Sequence, residues 1–357
     1  MKNTRFLIAS GGTGGHFYPG FALGKALHDQ GKQVLFVVRK NDPAISTLLA
    51  NGLAYEQIDA MGLARSVNPL QHLHFIGKFV KSLRQTRKII KNFRPDVTLG
   101  MGGYVSFPLI FCSHYMNVKT AVHESNTIWG LSNRVCATFA DLRLMGLPMQ
   151  KTFNNAVLSS TPIRAEFGEE VSRAQVLGEL GLNPAIPTAL IMGGSQGAKG
   201  LNEALPQVIK QLPQWQFIHL TGKRWYDVQQ AAYQGIHHVK ALAYSEEVYR
   251  LMKAVDVIIC RSGASTLAEV IACRLPAVLV PFPYAAANHQ YFNAKVLADA
   301  GCADIVLEGD DFAHRLYASL EKLTTDKLSN MRNAYQQLTV PNPLQATQQI
   351  VERLIQL

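Results

Sequence analysis

The feature that most constrains the fold is a short apolar run followed at once by a glycine turn and an amphipathic stretch of helix length. It occurs twice. The first copy runs from residues 6–9 into SGGTGGHFYPG at 10–20, and the second, TALIMGGSQGAKGLNEALPQVIKQL, occupies 188–212. A buried strand that enters a glycine turn and then a helix is typical of a parallel α/β sheet with a ligand loop at the helix N-terminus. Two copies predict two such domains.

The rest of the chain supports this α/β prediction. Further apolar segments fit parallel strands that are buried on both faces, at 34–38, 97–99, 121–123, 255–260 and 277–281. Helix-length stretches lie between them, for example at 20–29 and 291–299, and this alternation predicts right-handed βαβ units. The expected fold is therefore two doubly wound, Rossmann-like domains that face a cleft.

Turn-forming residues interrupt the pattern between 160 and 187 and indicate a domain boundary. We predict a first domain over 1–164 and a second over 165–339. The segment 340–357 is a candidate helix that packs back on the first domain. A length of 357 residues suits two domains of roughly 150–200 residues each.

Composition limits the partners. The chain has 48% hydrophobic and 17% charged residues, which is typical of a globular protein. A net charge of +10 favours phosphates, nucleic acid or an anionic membrane surface. The five cysteines form no CxxC pair, which suits reduced thiols inside a cell. No run reaches the ~18 apolar residues of a membrane span, and no signal segment is evident, so we expect an intracellular protein that can still lie on a membrane.

Neither glycine loop fits the best-known nucleotide motifs. With Gly12 and Gly14 as the first two glycines of a dinucleotide fingerprint, the third position falls on Phe17. In the second loop Lys199 follows Ala198 and no Ser or Thr comes next, unlike a P-loop. A nicotinamide enzyme and an NTPase are both disfavoured, although the second loop can still hold a diphosphate. Its alternative interpretation is a tight turn that needs glycine.

The most specific segment is RSGASTLAEVIACRLPAVLVPFPYAAANHQYFNA at 261–294. Residues 262–266 should begin a helix whose N–H groups point at phosphates. Glu269 then offers a carboxylate that can accept from both hydroxyls of a ribose, unless it is an ordinary surface glutamate. Residues 288–290 add amide groups suited to sugar hydroxyls, or form a polar helix cap.

Polar groups in the first half also follow apolar strands. MGGYVS at 101–106 and HESN at 123–126 should reach the same cleft as the first loop. His123 can equally be a hydrogen-bonded core residue. His16 lies where a loop histidine can take a proton near neutral pH, or can cap the helix.

Together these segments resemble the MurG family, two-domain glycosyltransferases of the GT-B fold. The motifs that carry the resemblance are GGTGGHFYPG, MGGYVS, HESN, TPIR, GGSQGAKGLN, RSGASTLAE and NHQYFNA, in family order over essentially the whole chain. The resemblance implies an inverting transfer of GlcNAc from UDP-GlcNAc to the C4 hydroxyl of MurNAc in undecaprenyl-linked lipid I, which gives lipid II for peptidoglycan synthesis. It also implies a peripheral location on the inner face of the cytoplasmic membrane, with other cell-wall enzymes as candidate partners.

The resemblance assigns roles to particular positions. Arg164 and Ser195 would meet the diphosphate, Ser245 would offer backbone atoms to the uracil, and Gln290 would bind GlcNAc hydroxyls. The remaining donor-binding positions implied by the family are Thr13, Gly14, Gly15, Asn126, Ala264, Ser265, Thr266, Leu267, Ala268 and Glu269. This chain departs from the family pattern at HESN, where relatives have HEQN, and at STPIR (160–164), where they have GNPVR.

The acceptor side needs a base. His16 is the first candidate and Glu124 the second, with Tyr104 also placed on the acceptor side. There is no Asp-x-Asp pair, so we expect no metal site and no required cofactor, with Mg²⁺ at most a stimulant through the diphosphate. Developing charge on UDP would instead be stabilised by helix N-termini, Ser195 and Arg164.

Other functions stay open at this point. The chain could be another GT-B glycosyltransferase with a lipid or soluble acceptor, or a protein of the related UDP-GlcNAc 2-epimerase fold. It could also be a non-catalytic nucleotide-sugar sensor at a membrane. Nucleic-acid binding is disfavoured because the sequence has no motif that interleaves aromatic and basic residues.

A membrane surface is predicted from the stretch at 68–94. Leu73, Ile76, Val80, Leu83 and Ile90 recur at helical spacing and predict a core-facing stripe. Phe75 and Phe79 fall at its edge, and the remaining face is basic, with Lys78, Lys81, Arg84, Lys88 and Lys91. An aromatic edge beside a basic face suits binding to anionic lipid. The alternative is a solvated helix with two additional core phenylalanines.

Overall fold

The computed structural model describes residues 4–12, 14–60, 69–149, 151–194 and 196–357, with the backbone alone at 69–74. The chain divides into two compact units. Unit 1 comprises Met1–Arg164 together with Val340–Leu357, and unit 2 comprises Ala165–Thr339. Each unit is an α/β structure with its own parallel sheet, as the alternation of apolar strands and helices predicts.

Unit 1 contains a seven-stranded sheet in the order β3-β2-β1-β4-β5-β6-β7, and all neighbouring strands are parallel. The strands are β1 (Arg5–Ala9), β2 (Gln33–Arg39), β3 (Ala54–Ile58), β4 (Val97–Gly100), β5 (Lys119–Glu124), β6 (Leu142–Met145) and β7 (Ala156–Leu158). In the central register, Ile8 pairs with Phe36 on one side and with Leu99 on the other.

The helices, numbered along the whole chain, cover both faces of this sheet. Those of unit 1 are α1 (Gly14–Asp29), α2 (Ala44–Ala50), α3 (Pro69–Phe93), α4 (Gly103–Tyr115), α5 (Leu131–Cys136) and α14 (Pro343–Ile355). One core cluster joins α1, α2 and α14 to the sheet, with Ile350 and Leu354 fully buried in it. A second cluster joins α3 and α4 to the opposite face.

Unit 2 contains a six-stranded parallel sheet in the order β10-β9-β8-β11-β12-β13. Its strands are β8 (Thr188–Met192), β9 (Gln216–Leu220), β10 (Val239–Leu242), β11 (Val257–Cys260), β12 (Ala277–Leu279) and β13 (Ala303–Ile305). Its helices are α6 (Arg173–Glu179), α7 (Lys199–Lys210), α8 (Tyr226–Ala232), α9 (Val248–Ala254), α10 (Ala264–Cys273), α11 (His289–Asp299), α12 (Phe312–Glu321) and α13 (Thr325–Ala334).

Both sheets reverse their strand order beside the first strand of the unit. In unit 1, β1 lies between β2 and β4, and in unit 2, β8 lies between β9 and β11. The connections leave such a pair of strands in opposite directions and open a crevice at their carboxyl ends, where α/β proteins bind ligands. The two glycine loops follow β1 and β8, so each begins at this point of its sheet.

The predicted core stripe of α3 is wrong in part. Ile90 is buried and Leu83 is half-buried, but Ile76 is 54% exposed and Val80 is 38% exposed. The buried positions of the helix include Ser82 and Thr86, whose small side chains face inward although they are polar. Apolar periodicity therefore located only the C-terminal part of the buried face, because the small polar side chains of Ser82 and Thr86 also pack inward.

Phe75 and Phe79 take part in an aromatic ladder, which we define as Phe75, Phe79, Phe107 and Phe111. Successive ring centroids lie 5.9, 5.7 and 5.4 Å apart, and the ladder runs from α3 across to α4. All four rings are half-buried. The rings that were expected at the edge of the helix therefore also hold it against α4.

None of the helices in the described part of the chain combines the length and the hydropathy of a membrane-spanning segment.

Glycines let α1 lie close to the sheet, and one of them gives a stability test. A Cβ added to Gly24 would overlap the ring of the fully buried Phe36 and lie 3.1 Å from Ile8 Cδ1. We therefore expect Gly24→Ala to lower the free energy of unfolding of unit 1 by about 1–3 kcal/mol.

The matched control for this prediction is Gly77→Ala in α3. Gly77 is exposed and an added Cβ there meets no atom within 4 Å. Alanine should raise stability at this position by about 0.5–1 kcal/mol, because it restricts the unfolded chain more than glycine does. Denaturant unfolding of both variants checks the pair, and equal stability changes would contradict the close packing of α1.

Candidate active site

The first glycine loop joins β1 to α1. Ser10 Oγ lies 3.1 Å from both His16 O and Phe17 O, so its hydroxyl ties the end of the strand to the first turn of the helix. Gly12 has a φ of +90°, which favours glycine. Gly14 and Gly15 are exposed at the start of α1, whereas Thr13 lies outside the described residues.

His16 lies against the backbone of the loop that follows β4. A Cβ added to Gly102 would lie 3.0 Å from His16 Cδ2 and 3.1 Å from His16 Nε2. Gly102 and Gly103 also have φ values of +97° and +74°. The MGG segment therefore needs glycine twice over, for its conformation and for the space that the imidazole occupies.

The side chain of Asn133 also approaches Gly102. Asn133 is a buried residue of α5 that no sequence motif singled out. Its Nδ2 atom would lie 3.1 Å from the same added Cβ on Gly102. His16, Gly102 and Asn133 thus come together from α1, the β4–α4 loop and α5. The sequence offered no signal for Asn133, because an asparagine inside a short helix has no pattern of its own.

The β4–α4 turn is held from within. Ser106 Oγ donates to Gly102 O at 2.6 Å and accepts from Gly102 N at 2.9 Å. Tyr104 is in the first turn of α4 and is 64% exposed. Its side chain is therefore open to a ligand, while the glycines before it are fixed.

Glu124, the second candidate base, is occupied on both oxygens. Oε1 accepts from Asn126 N at 3.1 Å and from Asn126 Nδ2 at 2.9 Å. Oε2 accepts from Gly130 N and from Asn133 Nδ2, each at 3.0 Å. Both oxygens of this buried carboxylate are therefore occupied, and all four of their partners are N–H donors. Through these contacts Glu124 ties the loop after β5 to Gly130 and to Asn133 of α5.

His123 fits the alternative that the sequence left open, a hydrogen-bonded core residue. It is fully buried, and its Nε2 lies 2.9 Å from Ser160 O. A carbonyl oxygen only accepts, so Nε2 carries the proton, and Nδ1, 3.4 Å from Ser125 Oγ, is the acceptor. Burial lowers the pKa of this imidazole.

Two segments meet at His123, one through the Ser125 hydroxyl and the other through the Ser160 carbonyl. Ser160 has a φ of +63°, a conformation that costs a non-glycine residue roughly 1–2 kcal/mol. The hydrogen bond from His123 to the Ser160 carbonyl helps to hold the segment that leads to Arg164.

Arg164 ends the first part of unit 1 and is half-buried. Its guanidinium carbon lies 6.0 Å from the ring centroid of Tyr18 on α1. Tyr18 is 43% exposed. The cation and the ring therefore lie near the helix that carries His16.

In unit 2, the second glycine loop packs closely on the segment after β9. Gly194 and Gly197 have φ values of +96° and +75°, and Gly197 N donates to Gly194 O at 2.9 Å. A Cβ on Gly222 would lie 2.5 Å from Gly197 N. Glycine is thus required on both sides of this contact. Ser195 lies outside the described residues.

The helix α10 presents its N-terminus after Gly263, which has an extended conformation. Ala264, Leu267 and Ala268 are buried, so only their backbone can reach a ligand. Ser265, Thr266 and Glu269 are half-buried. Ser245, also half-buried, lies in the segment between β10 and α9.

The beginning of α11 is tied to the beginning of α10. Ser262 Oγ donates to Gln290 O at 2.7 Å, and Asn293 Nδ2 donates to Ser262 O at 3.1 Å. Gln290 Oε1 accepts from Phe282 N at 2.9 Å, so Nε2 is the group of this side chain suited to a sugar hydroxyl.

A second pair that the sequence analysis missed is Arg261 with Glu308. Arg261 Nη2 lies 2.7 Å from Glu308 Oε1, and Nη1 donates to the carbonyls of Val280 and Pro281 at 3.1 and 3.2 Å. Both side chains are largely buried. The available signal was a charged residue directly after a buried strand, which needs a partner inside the protein.

Comparison with known proteins agrees with this architecture. The glycosyltransferase family 28 N-terminal domain matches residues 6–144, and the glycosyltransferase family 28 C-terminal domain matches 188–353. The UDP-N-acetylglucosamine--N-acetylmuramyl-(pentapeptide) pyrophosphoryl-undecaprenol N-acetylglucosamine transferase of Elusimicrobium minutum is 48% identical over 98% of both chains. The enzyme of the same name from Desulfitobacterium hafniense is 32% identical over 95% of this chain and 96% of its own.

A solved structure is also similar. The crystal structure of Acinetobacter baumannii MurG superimposes with a TM-score of 0.79 at 26% identity, covering 99% of this chain and all of that chain. The two parallel sheets, the two glycine loops and the family matches define a glycosyltransferase of the GT-B fold. The chain belongs to the MurG family.

The buried state of His123 has a measurable consequence for stability against pH. Its pKa is lowered in the folded protein, so below the ordinary value near 6.5 the unfolded chain binds more protons than the folded one. The free energy of unfolding of unit 1 should therefore be highest above pH 6.5 and fall as the pH drops below it, by up to about 1.4 kcal/mol per pH unit from this residue.

The comparison variant is His123→Gln, whose side-chain amide does not titrate and can still donate to the Ser160 carbonyl. Urea unfolding of both proteins between pH 7.5 and 5 measures the difference in slope. Parallel curves for the wild type and His123→Gln would contradict a lowered pKa. Loss of stability is expected to be steeper for the wild type.

Proposed function

We propose that the chain transfers N-acetylglucosamine from UDP-N-acetylglucosamine to the C4 hydroxyl of MurNAc in lipid I, with inversion at C1, to give lipid II and UDP. The observation that carries the proposal is the 48% identity over 98% of both chains to a transferase whose name states this donor and this acceptor. Further support is that several of these motifs follow strands of their own unit, since α/β sheets bind ligands at the carboxyl ends of their strands.

Unit 2 supplies the donor side in this proposal. The N-terminus of α10 and the second glycine loop stabilise the charge that develops on the departing UDP, with Ser195 as a further donor. Glu269 accepts from the ribose hydroxyls, and Ser245 offers backbone atoms to the uracil. Gln290 Nε2 donates to the sugar, while Oε1 of the same side chain is held by Phe282 N.

For unit 1, the family resemblance implies donor contacts from Thr13, Gly14, Gly15, Asn126 and Arg164. Asn126 donates twice to Glu124 Oε1, from its backbone N at 3.1 Å and from Nδ2 at 2.9 Å, and the second bond orients its side-chain amide. Glu124 acts here by placing Asn126, and the four hydrogen bonds to its carboxylate are the support for that role.

His16 is the base in this proposal. Its ring lies at the crevice beside β1 and β4 and packs against Gly102. The exposed Tyr104 follows two residues later, in the first turn of α4. As the C4 oxygen of the acceptor bonds to C1 of the donor sugar, the imidazole takes the hydroxyl proton and the C1–O bond to UDP breaks. The bonding electrons leave with the diphosphate. No cofactor takes part, and chelation of metals should leave turnover in place.

Access to a lipid-linked acceptor suggests a membrane-facing surface on unit 1. We assign it to the exposed apolar residues Ile76 and Val80 of α3 and to the adjoining aromatic ladder. Tyr115, which is 71% exposed at the end of α4, belongs to the same surface. The same helix continues with exposed basic residues, Arg84, Arg87, Lys88 and Lys91. Apolar groups that enter the headgroup boundary and cations that meet anionic lipid give peripheral binding to the inner face of the cytoplasmic membrane.

The activity is tested by UDP release from UDP-GlcNAc in the presence of a lipid I analogue. His16→Ala should lower kcat by roughly 10²-fold and leave UDP affinity unchanged, whereas Glu269→Ala should weaken UDP binding by about 2–3 kcal/mol. Titration calorimetry with UDP separates the two effects.

His28→Ala is the control for the base, since His28 is exposed in the last turn of the same helix. Glu321→Ala, exposed on α12, is the control for Glu269. A chain that binds UDP-GlcNAc without releasing UDP would be a sensor and would refute the proposed activity. Near-normal turnover in His16→Ala would remove His16 as the base.

The membrane surface has its own test. Ile76→Ser together with Val80→Ser should lower co-sedimentation with anionic vesicles by roughly tenfold or more, because both apolar side chains are removed from the lipid contact. Phe75 and Phe79 are left intact, since they also pack α3 on α4.

Leu49→Ser is the matched control, because Leu49 is 61% exposed on α2 of the same unit. Turnover of full-length lipid I in vesicles should fall in the double variant, while a short-chain soluble acceptor is spared. Unchanged vesicle binding, or an equal loss with both acceptors, would rule out this surface.

A further inference from the structure

A buried carboxylate lies directly behind the first glycine loop. Asp42 follows β2 and precedes α2, and its side chain is only 2% exposed. Oδ2 accepts from Gly12 N at 2.8 Å and from Arg39 Nε at 3.2 Å, and Oδ1 accepts from Ala44 N at 3.1 Å. No motif in the sequence pointed to this residue. It lies beside the glycine loop only because the fold brings the end of β2 next to the end of β1.

The contact depends on the absence of a side chain at Gly11. A Cβ added to Gly11 would lie 3.0 Å from Asp42 Oδ2 and 3.5 Å from Asp42 Cγ. The carboxylate therefore lies against the Gly11 backbone and reaches the next N–H group along the chain. Glycine is needed at position 11 because a side chain there would displace the Asp42 carboxylate, which accepts the hydrogen bond from Gly12 N.

The chemistry requires a carboxylate and is not met by an amide. Three donors converge on Asp42, two backbone N–H groups and one guanidinium N–H, and they approach both oxygens. An asparagine has one accepting oxygen, and its NH₂ group would face a donor on the other side. A charge-assisted hydrogen bond in a buried position is also stronger and more strictly oriented than a neutral one.

The glycine loop is consequently held at both ends. Asp42 fixes the Gly12 N–H, and the Ser10 hydroxyl ties the strand to His16 O and Phe17 O. Residues 13–15 lie between these two attachments, and His16 follows them. We propose that Asp42 is a positioning residue for the transfer reaction: it sets the conformation of the first glycine loop, and through the loop the place of His16. This inference rests on the proposed function only for its kinetic consequence.

Asp42→Asn is the first test, with Asp96→Asn as its matched control. Asp96 Oδ2 accepts from Arg5 N at 2.9 Å, a comparable carboxylate contact at the opposite end of the same strand, β1. At a temperature where both variants are fully folded, we expect Asp42→Asn to lower kcat/KM at least tenfold, and Asp96→Asn to change it less than twofold. A merely structural role would lower the unfolding midpoints of both and leave kcat/KM of the folded proteins alike.

A second readout needs no substrate. The Gly12 amide should be strongly protected from hydrogen exchange in the wild type and in Asp96→Asn, and should exchange at least tenfold faster in Asp42→Asn. If the wild type had no transferase activity but showed this pattern, the proposed function would fail while the contact stood. Unchanged Gly12 exchange, or a kcat/KM equal to that of Asp96→Asn, would overturn the role of Asp42.

Should Asp42→Asn not fold, Gly11→Ala keeps the test open. The added methyl group displaces the carboxylate and leaves its charge and Arg39 in place. We expect the same loss of Gly12 protection and of kcat/KM in this variant. A folded Gly11→Ala protein with wild-type values for both would overturn the proposal.

Discussion

The direction of the strands is the constraint on which the rest of the structure depends. In both sheets neighbouring strands run parallel, so the loops that follow them emerge along one edge. In unit 1 this edge collects Gly12, Asp42, Gly102 and Glu124 from four strands that are far apart in the chain. Helices cover both faces of the sheet, and the edge is where polar groups can meet a ligand without being buried in the core.

Close approach of backbones is the second condition. The imidazole of His16 occupies the space that a side chain at Gly102 would need, and Gly197 and Gly222 leave each other the same kind of room in unit 2. Glycine at these points has two effects, since positive φ values coincide with the close contacts. The loops are thereby brought within reach of one another's backbone, which longer side chains would prevent.

Buried charged side chains then hold in place the loop segments that the glycines allow to approach one another. Glu124 receives four N–H donors, Asp42 three, and Arg261 is paired with Glu308. A charge inside a protein must have such partners, and it orients them in return. The candidate site therefore consists of exposed groups such as Tyr104, carried by loops whose backbone is held by these buried hydrogen bonds.

The sequence by itself determined the two α/β units, their strands and the glycine loops. A buried parallel strand appears in the sequence as a continuous apolar run, and a glycine turn appears as a cluster of glycines. It also indicated His16, beside the first glycine turn, and Glu269, in the helix that follows β11, as candidate site residues. Only the tertiary structure decided which face of α3 is buried, because Ser82 and Thr86 pack inward despite their polarity. It likewise decided that His123 is a hydrogen-bonded core residue, that both oxygens of Glu124 are occupied, that Asn133 approaches Gly102 and that Asp42 accepts from Gly12 N. These roles depend on hydrogen bonds between residues distant in sequence, and such contacts have no periodicity or spacing from which they could be predicted.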